Sequence, residues 1–203
     1  RFQLLSGAPD SRCWFIDQTD KHLLQVQANR FLRNWRKREG GGDYPHYATN
    51  RAEFERDWAA YLEFREEMGL SAPEVRQCEL TYINLLEQNQ GWSNKGELHE
   101  VFRFWSNPGV AGILPLPEAA MFKLAFRLPD GAGRLHVSVQ NVTRVADGSD
   151  MLQLTLTGRG RPAGSSTADL LRWFDLTHEW IVRGFVEMTT PKMHEVWKKK
   201  GAP

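Results

Sequence analysis

Apolar and polar residues alternate in the first patterned segment of the chain, residues 12–36. Residues 24–27 read Leu-Gln-Val-Gln, which is the period-two pattern of a half-buried strand. The apolar residues of this first run have even numbers, whereas Phe31 and Trp35, which continue the alternation, have odd numbers. A turn or a bulge is therefore predicted at residues 28–30. The segment is therefore predicted to form strands that fold back on each other.

A helix is predicted after the glycine run at residues 40–42. Asn50 is a suitable N-cap, and Glu53 three residues later has the spacing of a capping box. Gly69 suits the position just beyond the C-terminus. Apolar side chains fall on one face of this helix and glutamates on the other: Phe54, Trp58, Tyr61, Leu62 and Met68 against Glu55, Glu63, Glu66 and Glu67.

Strand patterns dominate the middle of the chain. Residues 75–86 are predicted to form one strand, with Cys78, Leu80 and Tyr82 on the same face. Residues 99–105 fit a strand or a short helix. Three further strands are predicted at 121–128, 134–143 and 151–157, and the Asp-Gly pairs between them, Asp130-Gly131 and Asp147-Gly148, are typical of hairpin turns.

The last helix has the clearest pattern. Ser166 or Thr167 is its predicted N-cap, and Thr190-Pro191 starts a second, shorter helix. An apolar stripe with helical spacing runs along the longer helix: Leu170, Leu171, Phe174, Ile181, Val182 and Phe185.

The order of these elements predicts an α+β fold in which antiparallel sheets are each covered by one long helix. We interpret residues 1–203 as a single domain. Its two halves, 1–90 (strands, helix, strand) and 97–200 (strands, helix), are candidates for a diverged structural repeat.

The net charge, the two cysteines and the hydropathy of the chain exclude some classes of function. The formal net charge is +1, so no global field recruits DNA or an anionic membrane. Cys13 and Cys78 are far apart, and a chain of this size needs no disulfide scaffold, so free thiols and a cytoplasmic location are predicted. No apolar run is long enough to span a membrane. Because the chain begins at Arg1 and not at Met, we expect it to be a fragment.

Several short motifs resemble those of a sporadically distributed family of bacterial proteins that has no assigned function. They are Asn-Trp-Arg at 34–36, Tyr44-Pro45, Glu-Leu-Thr-Tyr-Ile-Asn at 79–84 and Asp-Leu-Thr-His-Glu at 175–179. The family has no agreed catalytic residues, so the resemblance carries none over to this chain. The patchy distribution of the family implies mobile or defence-associated genes.

One cluster on the last long helix suggests chemistry. Asp175 and His178 are three residues apart, and Asp175 and Glu179 are four apart, so all three can share one edge of the helix. A carboxylate beside a histidine is what a general base requires. The alternative is a histidine at the rim of an amphipathic helix, bonded to the backbone of the sheet. We favour the alternative because no nucleophile is visibly paired with His178.

A second candidate is the basic run that includes Arg30, Arg33, Trp35, Arg36, Lys37 and Arg38. A basic strand with an interleaved aromatic residue can follow phosphates and stack on bases, so a nucleic-acid-binding protein is one hypothesis. The competing interpretation is a solvated strand face whose arginines pair with the acidic face of the following helix.

Metal and cofactor motifs are not evident in the sequence. The six histidines are scattered singly, and Gly158 to Arg161 lack the spacing of a phosphate-binding loop, so we expect no metal and no cofactor. Asn84, near the end of its strand, is interpreted as the start of a turn or as part of a polar pocket. The leading hypothesis is a non-catalytic protein-interaction or assembly module, from a bacterial defence or toxin–antitoxin-like locus, whose partner is another protein or a second copy.

Overall fold

The computed structural model describes residues 12–37, 45–106 and 113–198. They belong to two compact units, Arg1–Ser71 and Ala72–Pro203. Each unit contains one antiparallel sheet and at least one long helix, so the predicted α+β fold is confirmed.

The first unit begins with a three-stranded sheet. Strands β1 (Arg12–Ile16), β2 (His22–Gln27) and β3 (Arg30–Trp35) lie side by side in chain order. Gln27 is paired with Arg30, so the chain reverses over the two residues between β2 and β3. This turn lies where the shift in the alternation predicted one.

Helix α1 (Tyr47–Glu67) packs on this sheet through aromatic rings. The ring centroid of Phe31 on β3 lies 5.8 Å from that of Phe54, 5.2 Å from that of Trp58 and 5.1 Å from that of Tyr61. Of the apolar side chains described in this unit, Trp58 is the one that is buried. The small aromatic cluster therefore holds the helix to β3.

The sequence predicted the C-terminal end of α1 correctly and its N-terminal end incorrectly. Gly69 follows the helix with a φ of 67°, as the sequence predicted, because a residue without Cβ adopts this left-handed conformation without strain. The predicted start at Asn50 was wrong. The helix begins at Tyr47, and the side-chain amide of Asn50 donates a hydrogen bond to the backbone carbonyl of Pro45.

The second unit is built on a four-stranded antiparallel sheet. Its strands are β4 (Cys78–Glu87), β5 (Phe122–Arg127), β6 (Gly133–Thr143) and β7 (Asp150–Gly160), in the spatial order β4-β7-β6-β5. The predicted meander of three strands is confirmed. Residues 99–105, for which the sequence allowed a strand or a short helix, overlap the single-turn helix α2 (Leu98–Val101), which is followed by a bridge between Phe102 and Thr189.

Strand β4 lies beside β7, at one edge of this sheet. The sequence interpretation grouped it with the first half, residues 1–90, because it follows α1 along the chain. In the structure its partner comes from residues 151–160, so it belongs to the second sheet. The pattern of apolar and polar residues within a strand does not reveal which distant strand it pairs with. A structural relationship between the two halves stays a prediction.

Two helices complete the second unit, α3 (Thr167–Met188) and α4 (Pro191–Lys198). Ser166 caps α3: its hydroxyl accepts from the amide of Asp169, and the Asp169 carboxylate accepts from the amide of Ser166. The core lies between α3 and one face of the sheet. It includes Leu135, Val137, Val139, Leu152, Leu154, Leu156 and Ile181.

Candidate functional site

His178 on α3 faces the edge strand β4. Its Nδ1 lies 2.9 Å from the hydroxyl of Tyr82, and the centroids of the two rings are 5.8 Å apart. Tyr82 is half-buried because alternate residues of β4 point towards the helix. The hydrogen bond connects two side chains, so it differs from the backbone contact that the sequence interpretation favoured for His178.

The protonation of His178 follows from its surroundings. Burial lowers its pKa below the ordinary value of 6.5, and the negative charge of Asp175 works in the opposite direction. The ring is therefore neutral at pH 7. A neutral ring accepts the Tyr82 proton at Nδ1 when Nε2 carries the hydrogen.

Glu179 does not join this pair. Its carboxylate lies 2.6 Å from a guanidinium nitrogen of Arg183, one turn further along the same exposed side of α3. Asp175 is half-buried and acts on His178 through its charge. The structure thus brings together Asp175, His178 and Tyr82, and it separates Glu179 from them. The sequence could not reveal Tyr82 as a partner, because it lies 96 positions away.

An activated nucleophile would be needed for covalent chemistry at this place. Cys78 lies on the same face of β4 as Tyr82, but burial raises the pKa of its thiol to about 12, so the thiol stays protonated. The arrangement joins β4 to α3 and offers a half-buried, neutral imidazole. The hydrogen bond stabilises the contact between the strand and the helix.

Asn84 lies within β4, opposite Leu154 on β7. The interpretation of Asn84 as the start of a turn was therefore wrong, because the strand continues to Glu87. Asn84 is half-buried on the face that also carries Tyr82.

The basic run is divided between the two faces of the first sheet. Arg33 points towards α1, where its guanidinium forms ion pairs with Glu53 and Asp57 and lies 3.2 Å from Nδ1 of His22. Its side chain is only 11% exposed. Arg33 therefore joins β3 to α1 through Glu53 and Asp57, which are not among the glutamates that the sequence placed on the acidic face of the helix.

The other members of the run have different surroundings. Arg36 forms an exposed ion pair with Asp20 and also donates to its backbone carbonyl. Arg30 and Lys37 are exposed, whereas Trp35 is half-buried on the side of the sheet that carries Arg33. Arg38 lies outside the described residues. The run does not present its charges on one surface.

Exposed apolar residues on two of the strands are a feature that the sequence interpretation did not predict. Trp14 on β1 is 58% exposed, and Ile83 and Leu85 on β4 are 60% and 54% exposed. Alternation marks which residues share a strand face, but it does not show whether another element covers that face.

Within residues 12–37, 45–106 and 113–198, no group of three or more histidine, cysteine or carboxylate side chains is arranged to hold a metal ion. None of the described helices has the length and apolar character needed to cross a membrane.

Comparison with protein-family models, with curated proteins and with solved structures found no match. The resemblance to the sporadically distributed bacterial family therefore stays a prediction, and the two exposed strand surfaces are the observations that bear on function.

Proposed function

We propose that the chain is a non-catalytic protein-assembly module that docks through the edge strand β4. The observation that supports this proposal is a ten-residue edge strand with two exposed aliphatic side chains. The proposal extends to a cytoplasmic setting, which fits the free thiols of Cys13 and Cys78, and to the defence-associated locus that the family resemblance implies.

The central part of the edge strand β4, residues 80–86, contains none of the charged residues, prolines or bulges that usually block strand addition. Its pairing with β7 runs without a bulge from Cys78 opposite Gly160 to Glu87 opposite Met151. The strand contains no proline and no lysine. Proline, lysine and bulges are the features with which soluble proteins block pairing at exposed edges. The backbone of β4 is therefore suited to accept another strand.

The side chains of β4 favour an apolar partner. Ile83 and Leu85 alternate with half-buried residues, so they project from the same exposed face of the sheet. Paired aliphatic side chains on neighbouring strands stabilise a sheet by roughly 0.2–1 kcal/mol each. An added strand with apolar residues opposite these two would gain such contacts.

The strand is held in place before any partner arrives. Cys78 and Leu86, near its two ends, are each 4% exposed, and Tyr82 between them is bonded to His178. A pre-ordered docking strand loses less conformational entropy on binding, which favours association.

A second copy of the chain is the occupant that the sequence of β4 fits best. Antiparallel pairing around a two-fold axis at Asn84 places Ile83 opposite Leu85 of the other copy, on both sides of the axis. The same register places Glu87 opposite Thr81. Pairing centred on Ile83 would instead place Glu79 opposite Glu87, and like charges in direct opposition are unfavourable.

Sedimentation of the purified chain over a range of concentrations tests the proposal. We expect a species of twice the 23.4 kDa chain mass. Ile83→Lys and Leu85→Lys should shift it to the monomer, because a lysine on the edge opposes strand addition. Ile113→Lys is the matched control: Ile113 is 99% exposed and lies outside every strand, so this variant should keep the dimer.

Cysteine cross-linking tests the register. In a Cys13→Ser background, Asn84→Cys should form an intermolecular disulfide on mild oxidation, because the two copies of residue 84 face each other about 4.5–5.5 Å apart. Leu85→Cys should not, because its two copies lie diagonally, about 7–8 Å apart. A chain that stays monomeric at all concentrations, or a dimer that Ile83→Lys leaves intact, contradicts docking of a second copy at β4.

A further inference from the structure

The three-stranded sheet of the first unit has one face that α1 does not contact. Phe31 and Arg33 on β3 point to the helix, so the alternate residues of that strand point away from it. The strand register extends this second face across β2 and β1. It consists of Arg12, Trp14, Ile16, Leu23, Gln25, Gln27, Arg30, Leu32 and Asn34.

Charge on this face has one sign. Arg12 and Arg30 lie in the same row, on either side of Gln27, and both are exposed. Neither arginine forms an ion pair with any described residue. The face contains no aspartate and no glutamate, so its two cations are free to meet an anionic ligand.

An aromatic ring and several amides lie beside the two cations. Trp14 is 58% exposed and occupies the next row, opposite Gln25. The side-chain amides of Gln25 and Gln27, in the same two rows, each offer a donor and an acceptor. An exposed aromatic ring flanked by arginines and amides is the combination that single-stranded nucleic acids recognise: bases stack on the ring, phosphates meet the cations, and amides bond to base edges.

We infer that this face binds single-stranded nucleic acid, with Trp14 as the stacking platform and with Arg12 and Arg30 as the phosphate contacts. This set differs from the basic run in the sequence, with which it shares only Arg30. Arg33 and Arg36 of that run are engaged with carboxylates of the chain itself.

The exposed indole of Trp14 favours a nucleic acid over an acidic protein segment. An acidic segment would be attracted to Arg12 and Arg30, but it would not require an exposed indole in the adjoining row. A base has a π-face for that ring and polar edges for the neighbouring amides. The uncovered face of the three strands suits an unpaired nucleic-acid strand, whose bases are free to lie on it.

Fluorescence anisotropy with a labelled oligothymidylate or oligouridylate at low salt tests the inference. A length of about twelve nucleotides is suitable, since single-strand-binding domains such as the OB fold cover about 4–16 nucleotides. We expect binding that weakens about 5- to 150-fold in Trp14→Ala, the usual effect of losing one stacked base. Trp14→Phe should recover most of it. Phe64→Ala is the matched control: Phe64 is an aromatic residue of the same unit, 53% exposed on α1, and its loss should change nothing.

Salt dependence tests the phosphate contacts. For two contacts with a single strand, the logarithm of the affinity should fall against the logarithm of salt concentration with a slope of about −1.4. Arg12→Glu or Arg30→Glu should weaken binding and make the slope shallower. Arg76→Glu, which changes the charge equally at an exposed arginine outside this sheet, should not.

Three results would overturn the inference. The first is the absence of binding at low salt. The second is binding that depends on Arg12 and Arg30 but not on Trp14, which would indicate a general affinity for polyanions, acidic proteins included. The third is a duplex of equal length that binds as tightly as the single strand. The circular dichroism spectrum of each variant should match that of the wild type, so that a loss of binding is not due to unfolding.

Discussion

The hydroxyl of Tyr82 and Nδ1 of His178 lie 2.9 Å apart, and their hydrogen bond joins the edge strand β4 to the helix that covers its sheet. Replacing Tyr82 with Phe keeps the ring and removes the bond. We expect the free energy of unfolding to fall by about 0.5–1.5 kcal/mol, the usual net value of one hydrogen bond. Urea denaturation of the two proteins measures the difference.

A double-mutant cycle separates this bond from other effects of the substitution. His178→Phe and Tyr82→Phe should show a coupling energy of about 0.5 kcal/mol or more, because either change alone already removes the bond. Strict additivity of the two substitutions would mean that the contact contributes nothing to stability.

Acidification should weaken the fold through His178. Its pKa in the folded chain lies below 6.5, because burial disfavours the charged ring and Asp175 compensates only in part. As the pH falls through 6.5, the unfolded chain takes up the proton before the folded chain does, so the free energy of unfolding decreases until the pH is below the folded pKa.

His194 contributes in the same direction, since burial and the nearby cations Arg103 and Lys198 lower its pKa as well. The specific test is therefore a comparison. Between about pH 7 and about pH 5, the range in which a histidine titrates, unfolding stability should decline more steeply in the wild type than in His178→Asn. Equal slopes would show that His178 is not the group that titrates.

Arg33 should matter for folding of the first unit. Its removal in Arg33→Ala leaves Glu53, which is 28% exposed, without its guanidinium partner, and leaves Asp57, which is 15% exposed, paired with Arg56 alone. We expect a loss of about 1–3 kcal/mol. Arg36→Ala is the control, because the pair with Asp20 is about half exposed and such pairs contribute about 0–1 kcal/mol. A larger loss in Arg36→Ala than in Arg33→Ala would contradict the assignment.

Gly158 on β7 lies against Thr177 of α3, with no room for a side chain between them. A Cβ at this position would lie 2.0 Å from Cγ2 of Thr177. Gly158→Ala should therefore destabilise the second unit by about 1–3 kcal/mol through overpacking. Adding Thr177→Ser removes the conflicting methyl group and should restore part of the stability. If Thr177→Ser lowers the melting temperature equally in both backgrounds, the two residues do not conflict.

Local features of the fold could be predicted from the sequence because neighbouring residues determine them. Ser166 caps α3 through Asp169, three residues away, and Gly69 ends α1 through its own backbone freedom. Pairing of β4 with β7 depends on complementary surfaces that are far apart along the chain, so the pattern in residues 78–87 indicated a strand without indicating its sheet.

In the candidate sites, too, contacts within one element could be predicted and contacts between elements could not. Helical spacing correctly brought Asp175 and His178 to one edge of α3, whereas Tyr82 was invisible as a partner because another element supplies it. Trp14 was missed for a different reason. Its exposure depends on which face of the first sheet α1 covers, and that follows from the packing of Phe31 and Arg33, not from the composition of β1.

The edge strand has a consequence for synthesis on the ribosome. Thr81 on β4 and its hydrogen-bond partner Thr157 on β7 are 76 positions apart, so β4 emerges well before the strand it needs. At a translation speed of about 5–20 residues per second, the delay is roughly 4–15 seconds. During that time Ile83 and Leu85 belong to a nascent segment with both of its edges unsatisfied. Pausing between these two points should therefore increase aggregation or chaperone capture of the newly made chain.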